Sequence, residues 1–386
     1  MKPDENALRN RVRQVIKETG LTSMEFADDI QLDADKLSKS LTGVRRFTSY
    51  ELALVAERGR TTVDWLLTGV APERIALAAR AQTRCADSGL DEAMCRARDI
   101  ADLHEILRRV APTLDPHLPE LPSTYISGYA IEDGPRLADE ALELLRKYGA
   151  SNEDLREDPA SVIERTFGID VLIEGFGDGF DGLACSTSTF RLIIVNSRIP
   201  WSRQRFTLFH EWGHILAGDG AQGGVCVDGD VMGAADRIEE MRANSFAASA
   251  LMPESDIREL VSEPVTESSF AELVGHFRVS PDALAWRLKT LGMISSDQRA
   301  SLGAMPVQQA AVLGGWRAEY GNLTRNQGRP RIPVTLAERA ADAFLVGKIS
   351  ARPLATLLRV DSSTLLEMHA AAGDTAADDE RAVFIP

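Results

Sequence analysis

The sequence predicts a mainly α-helical chain of the α+β class. It reads as an N-terminal five-helix domain, a central domain with a small β-sheet, and a C-terminal helical module. Three observations carry this. Apolar residues recur at helical spacing over most of the chain, as at Leu8, Val12, Val15 and Ile16. Strand-like runs are confined to the interval from Ile169 to Asn196. One central helix, Arg203–Ala217, sets His210, Glu211 and His214 into an apolar background.

In chain order, the stripe Leu8, Val12, Val15, Ile16 marks a first helix, and Thr22 and Ser23 cap a second through Phe26 and Ala27. Gln31-Leu32-Asp33 turns into a third, Asp33 to Leu41, ended by Gly43; Tyr50–Arg58 and Thr62–Leu67 complete five. This succession resembles the XRE-type helix-turn-helix domain, and residues 1–69 are assigned to it. The resemblance implies a third helix in the major groove, exposing Lys36, Ser38 and Lys39, with Arg45 and Arg46 placed for phosphates. Eleven basic and eleven acidic residues up to Gly69 leave no basic field, and Asp33 and Asp35 sit at the groove-entering end. Weak, salt-sensitive binding to double-stranded DNA is expected. The same fold also serves dimerisation or substrate recognition, and those uses stay open.

Residues 70–122 read as a helical and proline-rich linker: Pro72–Asp87 and Leu90–Val110 are helical and charged, and Pro112, Pro116, Pro119 and Pro122 follow. His104 and His117 have no ligand spacing and are assigned to the surface.

A second domain is assigned to 123–298. Arg136–Tyr148 is amphipathic, and Ser161–Phe167 is a second helix closed by Gly168. Ile169–Ile173 alternates as a strand, Phe180–Leu183 turns into a ribbon, and Phe190–Asn196 is a buried strand. The helix Arg203–Ala217 follows, with Ser202 as its cap and Gly218 as its end. His210 and His214 stand at i and i+4, so both imidazoles leave one face and can close on one metal ion. Zinc suits two neutral nitrogens and an oxygen with a fourth position open, and Glu211 lies beside the stripe as general base. Glu240, 26 positions beyond His214, supplies the oxygen from a return helix, Ile238 to Ala248. Glu239 is the competing ligand; Glu240 is preferred because it shares a face with Asn244, which can fix the tautomer of a ligand histidine. Ala243, Ala247, Ala248 and Gly213 are small enough for the two helices to approach closely. Two imidazoles and a carboxylate also accept manganese.

The run Arg205-Phe206-Thr207-Leu208-Phe209-His210-Glu211-Trp212-Gly213-His214, then Glu240, Ala243, Asn244, Phe246 and Ala247, then Leu251-Met252-Pro253, resembles the ImmA/IrrE metallopeptidases. The resemblance spans roughly Ala138 to Ile294. It implies a small zincin-type fold, zinc held by His210, His214 and Glu240, Glu211 as base, and a protein substrate, typically a helix-turn-helix repressor cut at one bond. In zincin-type folds an edge strand beside the zinc helix pairs with extended substrate; Ala184–Thr189 is expected there, with a plain hairpin as the alternative. Cys226 is read as an incidental loop thiol or a switch on the open zinc position. His276 is read as a surface residue or an oxyanion donor; no tyrosine is placed for that task.

Phe270–Leu288 contains two helical runs around a turn at Arg278-Val279-Ser280, a helix-turn-helix-like unit at 266–294. Leu354–Leu366 repeats the pattern around Val360-Asp361, and both echo Met24–Leu41. Residues 299–333, rich in glycine from Gly314 to Gly328, read as a loop-rich connector, and 334–386 as a helical module with a frayed tail.

At 386 residues the chain has room for two to four domains, and its net charge of −15 excludes indiscriminate binding to nucleic acid or anionic membrane. No run of eighteen apolar residues and no apolar signal core appear, and Cys85, Cys95, Cys185 and Cys226 lack paired spacing, so a cytoplasmic protein with reduced thiols is expected. The expected function is a zinc-dependent endopeptidase and transcriptional regulator that cleaves a repressor or antitoxin-like partner. The alternative is a DNA-binding regulator or antitoxin whose peptidase-like domain senses metal or binds a partner with little turnover.

Overall fold

Five helices, among the described residues, build the first of two units, Met1–Arg74: α1 (Glu5–Glu18), α2 (Ser23–Asp29), α3 (Ala34–Thr42), α4 (Ser49–Arg58) and α5 (Val63–Thr68). The computed structural model describes residues 5–30, 32–59, 63–68, 88–112, 119, 121–122, 126–187, 189–219, 225–227, 234–261 and 264–368. Thr22 and Glu25 form a reciprocal cap on α2, Asp33 accepts from the Lys36 amide to cap α3, and Gly43 ends α3 at φ 86°. The apolar stripe of α1 meets Phe26, Leu37, Val55 and Leu66 in a closed core.

The second unit, Ile75–Pro386, begins with α6 (Ser88–Val110), α7 (Ala130–Lys147), α8 (Asn152–Glu157) and α9 (Pro159–Phe167). Strands β1 (Ile169–Glu174), β2 (Gly182–Ser186) and β3 (Arg191–Asn196) lead into α10 (Trp201–Ala217), β4 (Val225–Val227) and α11 (Ala234–Leu251). Then come α12 (Glu254–Leu260), α13 (Glu267–Phe277), α14 (Pro281–Thr290), α15 (Ser296–Gly303), α16 (Val307–Leu313), α17 (Arg317–Asn326), α18 (Val334–Leu345) and α19 (Ala351–Leu358). The chain is thus mainly α with one small sheet. No helix among the described residues is long and apolar enough to cross a membrane.

The sheet order is β1-β3-β2-β4, with β1 parallel to β3 and the other pairs antiparallel. Alternating residues face opposite sides. Val171, Ala184, Ile193 and Val195 join the core of α7, α9, α10 and α11. Leu172, Leu183, Leu192 and Ile194 join the core of α6, α18 and α19. The sheet is therefore covered on both faces.

Several expectations change here. Leu90–Val110 does not act as a linker: α6 buries Ala93, Ala97, Ile100, Leu103 and Leu107 against the sheet. His104 is not a surface residue; it is buried, stacks on Phe190 and meets Asp170 at 2.6 Å. Ala184 and Cys185, the start of the expected edge Ala184–Thr189, are not free, because β2 is paired on one side by β3 and on the other by β4 over Leu183–Cys185. The interval 299–333 is not loop-rich: α15, α16 and α17 run through it and place Leu302, Met305, Ala310, Ala311 and Trp316 in the core. Helix α7 starts at Ala130 instead of Arg136, because Asp133 gathers Ser127 and Gly128 around its first turns and Pro135 is accommodated inside the helix. The helix α8, capped by Ser151 and Asp154, has no counterpart in the sequence reading. Pro72–Asp87, His117 and the tail from Ala370 lie outside the described residues.

Three turns repeat one backbone bond: Leu32 donates to the Ala27 carbonyl (2.8 Å), Val279 to Val274 (3.3 Å) and Val360 to Ala355 (3.1 Å). Arg278 and Arg359, just before the two valines, adopt φ 52° and 57°, a conformation costly for an L-residue. Each side chain is fastened: Arg278 to Glu157 and Glu319, Arg359 to Glu174.

Candidate metal centre

Helix α10 is apolar around most of its circumference and therefore buried. Trp212 packs among Phe167, Phe209 and Phe246, which anchors the helix on one side. A β-carbon on Gly213 would stand 2.9 Å from Phe246 Cδ1, so the missing side chain lets α10 and α11 approach. The helix begins two residues earlier than expected, at Trp201: Pro200 takes the cap position and Ser202 lies inside the first turn. At the other end Gly218, at φ 74°, closes it as expected.

On the opposite side, His210, His214 and Glu240 converge. The two Nε2 atoms are 3.0 Å apart; Glu240 Oε2 is 3.1 Å from His210 Nε2, and Oε1 is 3.4 Å from His214 Nε2. Both histidines are buried, at 4% and 2% exposure. Glu239, the competing carboxylate, is not in this group.

The far nitrogens are engaged too. His210 Nδ1 lies 3.1 Å from Asn244 Oδ1, and His214 Nδ1 lies 2.9 Å from Asp219 Oδ2. Both oxygens accept, so each imidazole donates from Nδ1 and presents the Nε2 lone pair to the centre. Two lone pairs and a carboxylate crowded together repel one another unless a cation lies between them. Zinc bonds of about 2.0–2.1 Å in a tetrahedron place ligand atoms roughly 3.3 Å apart, and the observed separations fit that spacing. The group could hold a metal ion.

Glu211 is fully buried one residue after His210. Its carboxylate faces β2, where a β-carbon on Gly182 would stand 2.9 Å from Oε1. Sequence reading missed Asp219 and its partner Arg242, whose guanidinium forms an ion pair with Oδ1. The signal was present: an acidic residue just past the closing glycine, and an arginine two positions after Glu240 on α11.

Other candidates are elsewhere. His276 Nε2 accepts from Arg156 Nη1 at 2.8 Å and lines a polar cavity of about 250 Å³ with Glu272 and Arg278. Cys226 occupies β4 opposite Ala184; its side chain lies outside the described residues. In the first unit Lys36 and Ser38 are exposed on α3, Lys39 pairs with Asp35 at 2.5 Å, Arg45 with Glu51, and Arg46 with Glu5 at 2.7 Å.

Residues 164–289 match the family model described as the IrrE N-terminal-like domain of peptidase family M78. The matched segment runs from α9 to α14 and contains the sheet, α10 and α11. It supports a peptidase-type enzyme at the level of that family. A comparison with curated proteins returns no match.

Proposed function

We propose that the chain is a zinc-dependent endopeptidase that regulates transcription by cleaving a protein such as a helix-turn-helix repressor or an antitoxin-like partner. One observation carries the reading: two buried imidazoles and a carboxylate converge, with both Nδ1 atoms already committed to oxygens. His210, His214 and Glu240 would hold zinc or, with the same donors, manganese. When bound there, the ion would supply Lewis-acid polarisation of the scissile carbonyl and acidify a water. Glu211 accepts the proton of the attacking water and passes it to the leaving amine nitrogen. Asn244 keeps His210 in the donating tautomer. The five-helix unit addresses the enzyme to its site of action, with Lys36, Ser38 and Lys39 toward an operator and Arg45 and Arg46 toward phosphates.

A second reading, a regulator that binds its partner with little turnover, draws on the complete burial of Glu211: a base without exposed surface meets no water until the cleft opens.

Metal content of the purified chain tests the centre, beside His214→Ala and Glu240→Ala. About one zinc per chain in the wild type, lost in both variants, is expected. A wild type that stays empty when zinc is offered overturns the metallopeptidase reading. Glu211→Gln then separates the two readings: new protein termini should appear in cells expressing the wild type and be absent with the variant. Identical termini in both would favour the low-turnover regulator.

A further inference from the structure

The two imidazoles at the centre are not supported alike. His210 Nδ1 donates to a neutral amide oxygen on Asn244, whereas His214 Nδ1 donates to the Asp219 carboxylate. Asp219 reaches that place through a tight local turn. With Gly218 in the left-handed region at φ 74°, the Asp219 amide donates back to the His214 carbonyl at 3.0 Å, and the side chain comes beneath the ring. Its other oxygen is taken by Arg242 Nη2. Both side chains are 6% exposed, so this ion pair is withdrawn from water. Arg242 stands on α11 two residues beyond Glu240. One ion pair therefore joins the orientation of a ligand histidine at the end of α10 to the seating of the ligand carboxylate on α11.

We infer that Asp219 is the dominant positioning residue of the metal centre and that Arg242 clamps it, so that His214 is the more strongly held of the two nitrogen donors. This rests on the metal reading above. A carboxylate behind an imidazole fixes its tautomer and raises its donor strength more than an amide does. Burial strengthens the effect, because a charge-assisted bond in a low-dielectric setting is not screened. The clamp also explains why an arginine is buried beside the centre: its charge offsets Asp219 and leaves the Glu240 carboxylate to the ligand group.

The test uses the full chain and five proteins: wild type, Asp219→Asn, Asp219→Ala, Arg242→Gln and Asn244→Ala. Zinc affinity is measured by competition with a chromophoric chelator, the visible spectrum of the cobalt(II)-loaded protein reports the ligand field, and thermal midpoints are taken without metal. Asp219→Ala should lower zinc affinity by about 10- to 100-fold and shift the cobalt bands. Asp219→Asn, which keeps an oxygen toward Nδ1, should recover part of that loss, and Arg242→Gln should fall between Asn and Ala. Asn244→Ala should lose less than Asp219→Ala. If Asp219→Ala fails to fold, the Asn and Gln variants carry the same comparison. Wild-type affinity and an unshifted cobalt spectrum in the Asp219 variants would overturn the inference while leaving the metal centre standing. A larger loss in Asn244→Ala than in the Asp219 variants would reverse the ranking and overturn it as well. A wild type that takes up neither zinc nor cobalt would overturn both this inference and the metal reading.

Discussion

Gly182 of β2 lies directly against the Glu211 carboxylate of α10: a β-carbon there would stand 2.9 Å from Oε1 and 3.1 Å from Cγ. It would also collide with Thr207 Cγ2. Gly182→Ala must therefore displace either the helix or the side chain expected to act as base. A loss of about 1–3 kcal/mol is predicted from overpacking, read as a lower urea midpoint at unchanged slope. Adding Thr207→Ser removes the colliding methyl group and should restore part of it. An unchanged midpoint in the single variant would mean that β2 and α10 are not closely packed at this level.

Besides their apolar packing, the C-terminal helices are tied toward the sheet by a buried carboxylate. Glu164 of α9 accepts from both terminal nitrogens of Arg331, at 2.8 and 2.7 Å, and from the Val171 and Val334 amides. Arg331 also pairs its backbone with Ile173 in both directions, extending the edge of β1 by one residue. Arg331→Met leaves Glu164 buried without its cation and is predicted to cost about 3–5 kcal/mol. Glu164→Gln keeps an oxygen for the two amides and should cost less. Equal midpoints for Arg331→Met and wild type would show that the pair does not hold α18 to the sheet.

What could be read in advance followed from local periodicity. His210 and His214 at i and i+4, a closing glycine at 218, and Glu240 on one face with Asn244 are short-range patterns, and the structure brings these residues together. Long-range pairings were not legible. His104 looks like a surface residue because its partner Asp170 is 66 positions away. The outer neighbour of β2 is Val225–Val227, too short to show alternation, so β2 looks like an edge. Glycines that end one short helix after another disguise α15–α17 as a loop: Gly303 is the last residue of α15, and Gly314 and Gly315 separate α16 from α17. Asp219 escapes notice because a left-handed turn, not helical spacing, carries it under His214.

Acid stability should depend on Asp133. Burial raises its carboxyl, but the Ser127 hydroxyl and amide, the Gly128 amide and Arg136 outweigh burial and hold it below the usual aspartate value. A folded-state value below the unfolded one stabilises the fold fully above the unfolded value, near pH 4, and loses that contribution as pH falls through the folded value. The difference in urea midpoint between wild type and Asp133→Asn should therefore be constant from about pH 7 to 5 and shrink below about pH 4. A difference that persists undiminished at about pH 2 would mean that the carboxylate charge plays no part.

DNA binding by the five-helix unit should be weak because three of its four candidate DNA-contacting cations, all but Lys36, arrive already partnered. Lys39 is held by Asp35, Arg45 by Glu51 and Arg46 by Glu5, and the charges up to Gly69 balance at eleven of each sign. Each phosphate contact must replace a carboxylate, and the net charge of −15 on the whole chain opposes approach. With a random-sequence duplex as probe, a dissociation constant of about 10⁻⁴ M or weaker is expected near physiological salt. Arg46 is the informative position, since its side chain is 85% exposed and its loss should leave the fold intact. Arg46→Ala should weaken binding evenly across sequences and reduce the slope of log affinity against log salt by about one. Arg45→Ala would confuse the test, because Glu51 is buried and would lose its guanidinium. Binding that ignores both salt and Arg46 would move the nucleic-acid surface off α3 and its following loop, and would leave a protein partner as the ligand of this unit.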